Sequence, residues 1–256
     1  MILVDTHTHL YLEEFDGDRK EVVENAIQEG VEKIFLPNID SSSIESLLKM
    51  VSDYPHHCYS MMGLHPTSVK ENFRDELAII EKELFAGNHI AVGEIGIDLY
   101  WDKTFLKEQI EALNVQLEWA SRLNLPVVIH ARDSFDEIFM ELENKRHLNL
   151  KGVFHSFTGT LEQARKAIDL GFMIGINGIV TFKNAGLDKV VGELELENIL
   201  LETDAPYLAP TPKRGKRNES KFLTYTAKKI ADVFGVEIEE VAKITSENAI
   251  KLFGIK

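Results

Sequence analysis

Ile2-Leu3-Val4-Asp5-Thr6 is a short apolar run that leads without a break into His7-Thr8-His9. Its composition is that of a β-strand with a buried face. Side chains two apart on an extended chain point the same way, so His7 and His9 can converge on one cation. The same type of run recurs at Lys33–Pro37, Tyr59–Leu64, Ile90–Ile95, Val127–His130, Gly152–Phe154, Phe172–Ile176 and Ile199–Glu202. Between these runs the apolar spacing is helical. Leu106, Ile110, Leu113, Leu117 and Ala120 share one face, as do Val22, Val23, Ala26 and Ile27 ahead of Gly30, and Leu161, Ala164 and Ile168 ahead of Gly171. Two further helices are expected at about Ser220–Phe234 and at Ile238–Phe253. Strand and helix alternating through eight strands in 256 residues predict an α/β fold, a single-domain (β/α)8 TIM-like barrel spanning residues 1–256. No Pro-, Gly- or Ser-rich linker divides it.

Barrels of this kind carry their chemistry at the carboxyl ends of the strands. Those ends hold His7 and His9, His65, Glu94, His130, His155 and Asp204. One histidine alone is most often a hydrogen-bonded bystander, the reading given to His56, His57, His89 and His147. Ligand-type residues at the ends of several different strands call for a common explanation, and a metal site supplies it. Imidazole and carboxylate together suit zinc or manganese, with magnesium admitted by the oxygens. The groups outnumber the needs of one tetrahedral ion, so two divalent ions are expected, with Glu94 the residue able to bridge them. Asp5 and Glu202, taken to share the inward parity of His7 and Asp204, are expected to orient the ligands from one layer deeper.

The balance of 28 basic against 42 acidic residues, a formal charge of −14, excludes a broad basic face for nucleic acid or anionic lipid. The single cysteine excludes an internal disulfide and, with nine histidines, suits a reducing compartment. The first residues lack a basic stretch, and Asp5 interrupts their apolar run. No apolar stretch is long enough to span a bilayer, so a cytoplasmic protein without membrane association is expected. Lys213-Arg214-Gly215-Lys216-Arg217 places four basic residues in five positions after the last strand.

The chain resembles the TatD-type deoxyribonucleases, a branch of the metal-dependent hydrolase (amidohydrolase) superfamily. The resemblance covers essentially the whole length. It rests on Val4-Asp5-Thr6-His7-Thr8-His9-Leu10, Gly63-Leu64-His65-Pro66, Gly93-Glu94-Ile95-Gly96-Ile97-Asp98 and Pro126-Val127-Val128-Ile129-His130-Ala131-Arg132. It continues in His155-Ser156-Phe157-Thr158-Gly159, Leu201-Glu202-Thr203-Asp204-Ala205-Pro206 and Arg214-Gly215-Lys216-Arg217-Asn218-Glu219. Tyr11, Ser134 and Ser220 depart from the usual residues of that pattern. The resemblance implies a TIM-like barrel, divalent-metal hydrolysis and 3′-to-5′ exonuclease action on DNA. It also implies that His7, His9 and Asp204 hold one ion, that His130 and His155 hold the other, that Glu94 bridges them, and that His65 is a phosphate or catalytic contact.

The expected chemistry is hydrolysis of DNA phosphodiesters by a metal-activated water, with Asp204 as proton acceptor and Glu94 and His65 beside it. The expected partner is the 3′ end of single-stranded DNA. Arg132, Arg214, Lys216 and Arg217 are the candidate phosphate contacts, although a basic loop is also explained as solvated charge. Tyr100 and Trp101 are candidates for base stacking, or rim packing. Two rivals stand beside this reading: hydrolysis of a small-molecule ester, amide or lactone on the same barrel, and a metal-stabilised scaffold without activity.

Overall fold

The computed structural model describes residues 1–255; Lys256, the last position of the expected domain, lies outside the described residues. Eight strands appear in the expected order: β1 (Leu3–Asp5), β2 (Val31–Pro37), β3 (Cys58–Met61), β4 (Val92–Asp98), β5 (Val127–Arg132), β6 (Gly152–Phe154), β7 (Phe172–Ile176) and β8 (Ile199–Leu201). A helix follows each: α1 (Arg19–Gln28), α2 (Ile44–Asp53), α3 (Phe73–Ala86), α4 (Leu106–Leu123), α5 (Phe135–Asn144), α6 (Leu161–Asp169), α7 (Leu187–Val191) and α8 (Leu223–Phe234), with α9 (Ile238–Phe253) after the last.

All paired strands run parallel, in a three-stranded sheet β1-β2-β3 and a five-stranded sheet β4-β5-β6-β7-β8. The two sheets meet at both edges. Met62 bridges to Val92, with Met62 N–H donating to Ala91 O and Gly93 N–H to Met62 O, both at 3.1 Å. On the other side Thr6 N–H donates to Leu201 O (3.1 Å), Asp204 N–H to His7 O (2.9 Å) and His9 N–H to Ala205 O (2.8 Å). The result is a closed (β/α)8 barrel.

The core has two parts. Val4, Phe35, Met61, Ala91, Val128, Val153 and Leu200 fill the barrel floor against Ala249, Leu252 and Phe253 of α9. The larger apolar shell lies between strands and helices, and Leu113, Leu117 and Ala120 of α4 are fully buried in it. Thr160 and Gln163 cap the start of α6 reciprocally, as a Thr-x-x-Gln sequence allows.

Three strands end earlier than the sequence suggests, β8 by the single residue Glu202, and in β1 and β3 the backbone finds other partners. After Met61, β3 gives way to the single bridge from Met62 to Val92, and Gln116 of α4 then takes the backbone of Leu64, accepting from its N–H (2.7 Å) and donating to its O (3.3 Å). β1 stops at Asp5, after which Thr8 N–H turns to Phe35 O while His9 N–H turns to Ala205 O. β4 runs longer than expected, to Asp98, because it stays paired with β5 through Arg132.

Candidate metal centre

Two irregularities aim the site residues inward. Ala91 belongs to the barrel floor, so strict alternation would bring Gly93 and Ile95 inside. The register of β4 on β5 shifts between Val92 and Ile95, and Ile95 packs in the outer shell while the Glu94 carboxylate enters the barrel. Gly96 (φ +148°) is required beside it, since a Cβ there would collide with the carbonyl oxygen of His130. On β1, Val4 is the inward residue, and leaving the ladder after Asp5 is what turns His7 and His9 to the mouth.

Glu94 lies at the centre. Its Oε2 is 3.1 Å from His7 Nε2 and 3.9 Å from His9 Nε2. Its Oε1 is 2.9 Å from His130 Nδ1, 3.3 Å from His65 Nε2 and 3.7 Å from His155 Nε2. Asp204, held at φ +58°, places Oδ1 3.7 Å from His9 Nε2 and 3.9 Å from His155 Nε2. The His7 and His155 rings stack at 3.4 Å between centroids. All six residues named as ligands from the sequence, and His65, meet at this one place.

Hydrogen bonds sort the imidazoles by which nitrogen carries a proton. Tyr11 donates its hydroxyl to Pro37 O at 2.6 Å, so at 3.0 Å it accepts from Nδ1–H of His9 and leaves the His9 Nε2 lone pair facing the carboxylates. His65 is the opposite case. Its Nδ1 accepts from Thr67 N–H (3.2 Å), so Nε2 carries the proton toward Glu94. His130 Nε2 is held 2.8 Å from Asp98 Oδ2, which aims Nδ1 at the centre. His155 Nδ1 is 3.0 Å from Glu202 Oε1, which also accepts from Ser156 N–H at 2.6 Å.

Burial opposes ionisation of Glu94, but the imidazoles of His65, His7 and His155 and the hydrogen bond from His130 overcome it and hold the carboxyl well below its usual range. Burial lowers His7, His9 and His155, each helped by neighbouring imidazoles. Burial also works against a charged His130, yet Asp98 and Glu94 raise it to about 9. At neutral pH the cation opposite Glu94 is therefore His130. Burial pushes Asp204 and Glu202 up to about 7.

The residues present fit divalent ions. His7 is wholly buried, its Nε2 meets only Glu94 and its Nδ1 has no hydrogen-bond partner. A buried imidazole with an unpartnered nitrogen is costly, and a cation beside the adjacent carboxylate gives the ring a further partner. His7, His9 and Glu94 form one compact donor set and His7, His155 and Asp204 a second; His65 clusters with Glu94 and His130, but with its proton on Nε2 it enters that cluster as a hydrogen-bond donor.

The candidate substrate contacts separate. His65 and Arg132 line a cavity of about 670 Å³ that opens over Glu94. The basic loop stands apart from that lining. Arg217 is bound to Asp18 (2.6 and 2.9 Å) and to Glu14 O (2.6 Å), Arg214 lies over the Phe182 ring at 3.7 Å, and Lys216 is exposed. Asp5 differs from its expected place: it touches none of the imidazoles and instead accepts from Thr203 N–H (2.9 Å) and Thr203 Oγ1 (2.6 Å), bracing the residue before Asp204. Val4, not Asp5, has the inward parity. Asp98 and Tyr11 were visible in the sequence without an assigned role. Asp98 sits four residues after Glu94 on the same strand face, which was the available signal; nothing local connects Tyr11 to Pro37.

The profile of the family described as TatD related DNase matches residues 4–254. The chain is 40% identical to the uncharacterized metal-dependent hydrolase YabD of Bacillus subtilis strain 168, over 99% of this chain and 100% of that one. It is 30% identical to the 3′-5′ ssDNA/RNA exonuclease TatD of Pantoea ananatis, over 99% and 100%. The crystal structure of the TatD homologue YjjV from Escherichia coli K12 superposes with a TM-score of 0.93 at 30% identity, covering 99% of this chain and 98% of that one. With matching sequence, fold and a buried His/Glu/Asp centre, the chain belongs to the TatD family of metal-dependent hydrolases.

Proposed function

We propose that this site hydrolyses phosphodiester bonds of DNA, working from the 3′ end of a single strand, with two divalent ions held by His7, His9, Glu94, His130, His155 and Asp204. The observation that carries the reading is Glu94, whose two oxygens each face their own imidazoles, His7 and His9 on one side and His130 and His155 on the other. The ions, when bound, supply positive charge against the phosphoryl oxygens and acidify water at neutral pH.

The chain's own groups do the rest. Asp204 Oδ1 accepts the proton of the attacking water. His65, fixed with its proton on Nε2, donates to a phosphoryl or leaving oxygen. Arg132, at the cavity wall, holds a neighbouring phosphate. The name of the Pantoea relative supports a nucleic-acid substrate. The lone Cys58, buried and unpaired, suits the reducing cytoplasm as the place of action. No helix among the described residues is long and apolar enough to cross a membrane.

The test uses single-stranded DNA labelled at either end. Exhaustive EDTA treatment abolishes cleavage, added zinc, manganese or magnesium restores it, and label leaves first from the 3′ end. Cleavage that survives chelation overturns the proposal. The apolar part of the cavity, Ile39, Ile179 and Leu208, favours a second reading, hydrolysis of a small ester. Faster turnover of small esters than of DNA would decide for it.

A further inference from the structure

Tyr100 and Trp101 follow β4 and are 55% and 69% exposed. An indole left this open forgoes the burial that large apolar side chains normally obtain, which marks it for a partner. Arg132, at the end of β5, stacks on both: its Cζ is 4.1 Å from the Tyr100 ring centre and 5.4 Å from that of Trp101. Among the described residues no carboxylate meets this guanidinium, so its N–H edge is free in a chain of net charge −14. Trp101 and Arg132 both line the cavity over Glu94.

The shelf is fastened to the reacting centre by a single carboxylate. Asp98 Oδ1 accepts from Tyr100 N–H and Trp101 N–H, each at 3.0 Å, while its Oδ2 is 2.8 Å from His130 Nε2. Farther along, Asp102 accepts from Thr104 N–H (2.8 Å) and pairs with Lys70 (3.3 Å). The backbone that carries the indole is thus held to the strand end beside Glu94.

We infer that Trp101 and Arg132 form a nucleotide subsite, the indole stacking on a base and the guanidinium edge holding the adjacent phosphate, with Tyr100 keeping Arg132 in place. A flat ring and an anion within reach of neighbouring groups describe a nucleotide. A base inside a duplex has both faces covered, so the shelf selects an unpaired or terminal one. The inference rests on the nucleic-acid reading above and adds to it the residue that tells a nucleotide from a bare phosphate.

The test titrates the zinc-loaded protein with dAMP and with 2-deoxyribose 5-phosphate, neither of which has a diester to cleave. Isothermal titration calorimetry gives the affinities of the unaltered protein and of each variant, and in the unaltered protein Trp101 also reports by fluorescence, since the other tryptophan, Trp119, is buried in α4. The expected result is that dAMP quenches the indole and binds about tenfold to a hundredfold tighter than the sugar phosphate. Trp101→Ala abolishes that discrimination, and Arg132→Gln weakens both ligands alike. Equal affinity for the two ligands in the unaltered protein, or discrimination that persists in Trp101→Ala, overturns the subsite. Tighter binding of phenyl phosphate than of dAMP overturns it in favour of a small aryl ester. A protein that discriminates but never cleaves DNA keeps the subsite and loses the proposed function; one that cleaves DNA without discriminating does the reverse.

Discussion

The hydroxyl of Tyr11 stands 3.0 Å from Nδ1 of His9 and has already given its proton to Pro37 O. His9 is therefore fixed as the tautomer whose Nε2 lone pair faces Glu94 and Asp204. The phenol does for His9 what a carboxylate or carbonyl commonly does behind a metal-bound histidine. In Tyr11→Phe, affinity for zinc should fall by about 10–100-fold, read by competition with a chelator, while the circular dichroism spectrum stays unchanged. Undiminished affinity would mean that His9 is oriented by its backbone alone.

Glu94 and Asp204 are the carboxylates of the centre. Glu94→Gln and Asp204→Asn should each lower turnover on DNA by about 10²–10⁴, the range of a lost acid–base group, with the fold retained. Near-normal turnover in either variant removes that residue from its proposed role.

His130 between Asp98 and Glu94 gives the metal-free protein a pH dependence. Its charged form is favoured in the folded state, with a pKa raised to about 9 from an ordinary 6.5. The stabilisation is complete below the unfolded value and is lost as pH rises from there through about 9. Chemical denaturation of the metal-free protein should accordingly show stability falling over that interval. The Asp98→Asn variant should flatten the fall, and the His130 resonance should then titrate at lower pH. A His130 resonance titrating at the ordinary value in the unaltered protein would contradict the clamp.

Arg217, after β8, is tied to Asp18, after the neighbouring β1, and the pairing holds the Asp18 carboxyl below its usual value. Both side chains are partly exposed, so Arg217→Ala should cost no more than about 1 kcal/mol of stability. The loss should appear near neutral pH and vanish as acid protonates Asp18. Arg132→Gln, by contrast, should raise the KM for DNA and reduce its dependence on salt. A salt slope that drops for Arg217→Ala and not for Arg132→Gln would exchange their roles.

Cys58 is buried, and burial pushes its thiol up to about 12. Iodoacetamide at pH 8 should leave it unmodified in the native protein and label it once the chain is unfolded, which makes it a probe of opening of β3. Labelling of the native protein at the unfolded rate would show that β3 opens freely.

Much of this was legible in the chain because the information was local. Alternation of β-branched runs with helical spacing set the eight strands and their order, and each candidate ligand was named by standing at a strand end. The rest depended on partners far away in sequence. Register on β5 decides that Glu94 and not Gly93 enters the barrel. A carbonyl at Pro37 decides which nitrogen of His9 is free, and a backbone N–H at Thr67 decides that His65 is a donor. The basic loop read as one cluster of charge, yet Asp18, 199 residues from Arg217, takes that arginine out of it. Periodicity and residue type are properties of a segment and survive in the sequence alone; a proton's position and a charge's partner belong to the pair, and only folding brings the pair together.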